Sequence, residues 1–130
     1  MGHALLRAGL PIAGVVGRDA AKAEALGKDL GCPSFDLGAV TPKAELRLIA
    51  VSDDAIREVA QLLPDDGTAV VHLSGSKPLE LLGAHPHRGV LWPVQSFSPG
   101  APTDLSAVPL VVDADDEATL RSLHELAGRL

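Results

Sequence analysis

Three short polar groups stand at the ends of apolar runs, and their side chains are of types that do chemistry. His72, Ser74, Gly75 and Ser76 close the run that begins at Thr68. Ser52, Asp53 and Asp54 follow Leu46–Val51, and Gln95, Ser96 and Ser98 follow Gly89–Trp92. An imidazole can move protons near neutral pH, and a serine hydroxyl beside a base can act as a nucleophile. His72, Ser74 and a nearby Asp would supply the types of a hydrolase triad. Ser74, however, is flanked by Leu73 and Gly75, so the Gly-x-Ser-x-Gly elbow is absent. His85-Pro86-His87 offers two imidazoles without a third ligand, which is loop composition rather than a metal site. The remaining chemistry is recognition by hydroxyls, an amide and close backbone approach. His72, Ser74 and Gln95 are the catalytic candidates. For His72, set inside an apolar run, a satisfied core histidine is the alternative, and for Gln95, Ser96 and Ser98 it is turn chemistry between Pro93 and Pro99.

The elements that must position these groups are legible as an alternation. The apolar runs predict strands at about 12–17, 46–51 and 68–73, with shorter ones at 89–92 and 108–112. Continuous runs of this kind suit strands covered on both faces, as in parallel sheets. Helical patterns lie between them. One covers His3–Ala8, stopped by Gly9 and Pro11; one runs from Ala20 to Leu30 between the cap Asp19 and Gly31. Asp53 is the expected cap of a helix over 55–63, ended by Pro64 and the Asp65-Asp66-Gly67 turn. A short helix is expected over 77–82, and a last one from Asp115 or Asp116 through Leu126. The alternation predicts βαβ units in one doubly wound, mostly parallel α/β domain spanning residues 1–130.

Composition narrows the class. The 130 residues suffice for one domain with a real core. Aromatics are 2% of the chain, so Leu, Val, Ile and Ala must build that core. A net charge of −6 without a basic patch argues against nucleic acid as a partner. The single cysteine, Cys32, can form no internal disulfide, and no segment reads as a signal peptide or membrane span, which together suggest the cytoplasm.

Several segments resemble a known group. Val15-Val16-Gly17-Arg18-Asp19 looks like a second Rossmann strand and its polar end. Ile49–Ile56 resembles a fourth-strand loop and the helix after it. Val70–Ser76 followed by Trp92–Ser98 is the most specific pair. Together they resemble the first domain of two-domain Rossmann-like proteins of unassigned function. That domain is similar to those of deazaflavin-dependent NADP reductases, pyrroline-5-carboxylate reductases and 6-phosphogluconate-dehydrogenase-like enzymes. Met1–Leu6 fits the end of a Gly-x-Gly-x-x-Gly turn, with Gly2 as its third glycine.

The resemblance implies an NADP cofactor. Arg18, closing the second strand, suits a ribose 2′-phosphate where an acidic residue would hold a 2′-hydroxyl, and Lys22 would add charge one helical turn later. Val51, Ser52 and Asp53 would lie over the adenosine side, with a plain helix cap as the alternative for Asp53. Ser74, Gly75 and Ser76 would face the nicotinamide or a substrate carboxylate. The resemblance further implies an oxidoreductase acting on a small unknown substrate, with a first strand before Met1 and a helical, dimerising domain after Leu130. A non-catalytic NADP-binding or regulatory domain, or an inactive fragment, is the rival.

Overall fold

Helix α1 (Gly2–Arg7) opens the chain and ends at Gly9, whose φ of +69° few other residues adopt. Strand β1 (Val15–Gly17) feeds helix α2 (Ala20–Leu30). Asp19 caps α2 by accepting the Lys22 N–H at 3.0 Å, and Gly31 closes it in the left-handed conformation. The chain then returns as β2 (Ser34–Asp36), parallel to β1. In this computed structural model residues 1–96 and 104–130 are described; Phe97, Ser98 and Pro99 of the third polar segment lie outside them.

Strands β3 (Leu46–Ile49), β4 (Ala69–His72) and β5 (Arg88–Pro93) are parallel neighbours, and β6 (Leu110–Ala114) runs antiparallel along β5. A 3-10 turn at Asp53–Ala55 and helix α3 (Ile56–Leu62) connect β3 to β4. Helix α4 (Glu117–Ala127) follows β6. Alternate residues of one strand serve opposite faces. Val70 joins Ile49, Ile56, Val59, Ala60 and Leu82 beneath α3. Val71 joins Leu91 and Leu123 beneath α4. Helices on both faces of a mostly parallel sheet make the expected doubly wound α/β architecture. Among the described residues, β1 pairs with β2 alone and β3 with β4 alone, so each has one edge without a strand.

Four details differ from the sequence expectations. Strand β2 has no apolar run to announce it: Ser34-Phe35-Asp36 is a three-residue edge held to β1 by the return of α2. Strand β6 is displaced two residues beyond 108–112, because Pro109 has no N–H to give the ladder; its carbonyl accepts from Val94 N–H instead. The helix expected over 77–82 is a 3-10 turn at Leu79–Leu82, confined between Pro78 and the positive φ of Gly83. Asp53 does not cap α3; its carboxylate is used elsewhere.

Candidate functional site

Parallel strands bring their carboxyl ends to one edge, and there the loops after β3 and β4 meet. Ser76 Oγ–H donates to Asp53 Oδ2 at 2.8 Å, a bond spanning 23 residues of chain. Ser76 N–H donates to Ser74 Oγ at 3.3 Å, and the two serine hydroxyls lie 3.3 Å apart. The Ser76 hydroxyl, then that of Ser74, holds the Asp53 carboxyl below its ordinary range, with the Lys77 charge helping. Asp53, Gly75 and Ser76 are exposed, so this network faces solvent. Val51 and Ser52 are exposed beside it.

Two residues beneath fix the loop. A Cβ on Gly75 would fall 2.2 Å from the Trp92 indole, so only glycine lets the loop lie flat on that ring. His72 is fully buried and its Nδ1 accepts the Ser74 N–H at 3.2 Å. That bond requires an unprotonated Nδ1, which places the proton of a neutral ring on Nε2. Burial pushes the His72 pKa down, opposed by the Pro78 carbonyl and Asp53, which agrees with a neutral ring. Among the described residues, Nε2 has no partner in good hydrogen-bonding geometry, so the Pro78 carbonyl acts on the ring only weakly. His72, one of the catalytic candidates of the sequence, therefore sits fully buried beneath the Ser74 turn and shapes it from below.

Arg18 follows β1 directly. Its Nη1 donates to Glu58 Oε1, in the first turn of α3, at 3.2 Å. Both side chains are more than half exposed, at 61% and 58%. Lys22 Nζ lies 3.8 Å from the Asp19 carboxylate. Arg18 and Lys22 thus stand at the start of α2, on the edge that α3 begins from.

Gly2 is not brought to this edge. A Cβ there would meet Leu30 Cδ1 at 2.7 Å, and His3 Nε2 lies 2.7 Å from Asp29 Oδ2. Leu30 ends α2, and α2 must return to the amino ends of the strands for β2 to run parallel to β1. An eleven-residue helix covers roughly 16 Å. Gly2 begins a helix as expected, but it serves close helix packing far from Arg18. Gln95 is exposed, and no hydrogen bond among the described residues joins its side chain to the serine network. His85 Nε2 lies 2.8 Å from the Ala60 carbonyl and His87 Nδ1 lies 3.0 Å from Asp116, so both are engaged in holding loops.

Sequence reasoning missed Glu58 as part of this edge, and it paired the Trp92 segment with Val70–Ser76 without giving the indole a role. The indole opposite Gly75 had a signal, since a glycine in a strand-end loop marks close approach. Glu58 had none, because its pairing depends on how β1 and α3 converge. Two shallow clefts of about 310 and 340 Å³ lie elsewhere, one against Arg7, Asp104 and Arg129 and one against Val40, Thr41 and Leu63. No helix among the described residues is long and apolar enough to cross a membrane.

Comparison with solved structures agrees with this architecture. The chain is similar to the provisionally assigned NADP oxidoreductase BF3122 from Bacteroides fragilis, at 27% identity and a TM-score of 0.83, over 99% of this chain and 52% of that one. It is also similar in fold to protein TM1727 from Thermotoga maritima, at 21% identity and a TM-score of 0.68, over 90% of this chain and 46% of that one. The chain spans about half the length of these proteins. No protein-family model and no curated protein matches it. The fold is therefore Rossmann-like, as in the provisionally assigned NADP oxidoreductase BF3122.

Proposed function

We propose that this chain binds NADP(H) along the carboxyl edge of its sheet, as the cofactor domain of an oxidoreductase acting on a small molecule. The observation that carries the reading is Arg18. It is a half-exposed guanidinium immediately after a parallel strand and at the start of a capped helix. In doubly wound sheets, ligands lie outside the carboxyl ends of the strands, and an arginine there suits the 2′-phosphate that separates NADP from NAD. The likeness to BF3122 supports the same cofactor. Lys22 adds positive charge. Val51, Ser52 and Asp53 offer a surface for the adenosine side, and Ser74, Gly75 and Ser76 offer hydroxyls and an open backbone toward the nicotinamide side. The residues fit the group at Arg18 and around Gly75, whereas Gly2 packs against Leu30 at the other end of α2. NADP, when bound, supplies the hydride chemistry. The small-molecule substrate and a dimer formed through further helical structure belong to the same proposal.

A non-catalytic NADP-binding role is the second reading. The observation favouring it is that His72, the one imidazole of the serine network, is fully buried. Both readings share the cofactor, and one measurement tests it. NADPH and NADH are titrated against wild type and Arg18→Ala by calorimetry. Hydrogen bonds to charged groups are worth about 1.5–3 kcal/mol. Losing Arg18 should weaken NADPH about 10- to 150-fold and leave NADH nearly unchanged. Equal weakening of both cofactors would show that Arg18 does not read the phosphate.

A further inference from the structure

We infer that Glu58 limits how strongly this edge prefers a 2′-phosphorylated dinucleotide over its unphosphorylated counterpart. The inference rests on the NADP reading above. Arg18 and Glu58 are 40 residues apart in sequence, and the fold brings them together at 3.2 Å. Among the described residues, no other side chain accepts from the Arg18 guanidinium. Asp19, the nearest acid in sequence, is turned to the Lys22 N–H and lies 3.8 Å from Lys22 Nζ. Among the described residues, Glu58 is therefore the carboxylate in direct contact with the arginine that would read the phosphate.

Two opposite effects follow from such a carboxylate. It can hold the guanidinium in place for the ligand, or it can compete with the phosphate and repel it. Magnitude decides. A pair this exposed contributes little order, because water competes for both partners and two long side chains must be fixed. A phosphate on the same guanidinium brings about two negative charges within one guanidinium width of Glu58. Whether the phosphate takes the remaining donors of the fork or displaces Glu58, the carboxylate stays close. Repulsion outweighs positioning, and it acts only on the cofactor that carries the phosphate.

Glu58→Gln keeps the shape and one acceptor while removing the charge. It should tighten NADPH about 3- to 10-fold at low salt and change NADH less than about twofold. The gain should shrink near 1 M salt, where screening reaches down to about 3 Å. Thermal unfolding of the variant should match wild type. The titration is run on wild type, Glu58→Gln and Arg18→Ala with both cofactors. Weaker NADPH binding in Glu58→Gln would make Glu58 a positioning residue and overturn the inference. Equal tightening of both cofactors, or no change, would overturn it too. If Arg18→Ala loses NADPH selectively while Glu58→Gln does nothing, only this inference falls. If Arg18→Ala shows no selective loss, or wild type binds neither cofactor, the NADP reading falls and takes the inference with it.

Discussion

At the amino ends of the strands Arg47 grips both oxygens of Asp66, at 2.6 and 2.7 Å, with a guanidinium side chain only 9% exposed. At the carboxyl ends Asp53 is met by serine hydroxyls, Ser76 the nearer at 2.8 Å, and faces water. The contrast extends along both edges. Two strands away on the same edge, the Arg88 Nε–H donates to Asp115 and Nη1 donates to the Gly83 carbonyl at 2.7 Å. His87 and Thr119 both engage Asp116. Charges at the amino edge are matched to protein partners that close the chain's turns. At the carboxyl edge the groups are serines, a glycine on an indole, and the exposed Arg18–Glu58 pair. One edge spends its polar groups on the fold, while the other leaves them where a ligand can reach. The two should therefore separate cleanly when stability and cofactor binding are measured on the same variants.

The largest stability effect should come from Asp66→Ala. It leaves a nearly buried guanidinium without its carboxylate, and Thr68 N–H without an acceptor. A loss of about 1.5–3 kcal/mol in urea unfolding is expected, above the usual worth of a surface pair because the geometry is bidentate. NADPH affinity should stay within about twofold of wild type. A matching fall in affinity would show that the edges are not independent.

Asp116 comes next. Its carboxylate caps α4 by accepting Thr119 N–H at 2.9 Å, and Asp116→Ala should cost about 1 kcal/mol. The Thr119 N–H and hydroxyl, with His87, draw its pKa down from 3.8 to about 2. A carboxyl depressed on folding stabilises the native state above its ordinary pKa, and loses that contribution as pH falls through the native value. The stability gap between wild type and Asp116→Asn should accordingly close between about pH 4 and about pH 2. A gap that persists unchanged at pH 2 would mean that charge is not what the cap uses.

How much of this was legible depended on whether a residue's role is local. The Asp19 cap and Gly31 stop of α2 need only neighbours in the chain, and both stand where the spacing put them. The two-faced runs of β3 and β4 follow from composition in the same way. Roles set by distant partners were not legible. Asp53 reads as a cap by its spacing, yet Ser76 takes its carboxylate from across the loop. Gly2 reads as part of a phosphate turn, yet Leu30 occupies the space its missing Cβ leaves. Glu58 reads as an exposed helix residue until β1 delivers Arg18 beside it. Strand β2 carries no hydrophobic signal, since its register comes from β1.

The smallest stability effect, and the most discriminating, belongs to Ser76→Ala. The serine is exposed, and its hydroxyl bond to Asp53 competes with water, so unfolding should shift by no more than about 0.5 kcal/mol. The Ser76 hydroxyl is the first cause of Asp53's lowered pKa, so the variant's Asp53 should titrate nearer the ordinary carboxylate range, a change that carbon-detected NMR can follow. Cofactor binding should respond differently from its response at Arg18. Ser76 lies after β4, away from the residue assigned to the 2′-phosphate, and any contact it makes is to a part that both dinucleotides share. NADPH and NADH should therefore weaken together, by about 3- to 10-fold for one neutral hydrogen bond. Selective loss of NADPH would put the phosphate at the serine network instead of at Arg18. If both affinities stay unchanged while Asp53 shifts, the network orders the loop alone, and the ligand surface contracts to the Arg18 side of the edge.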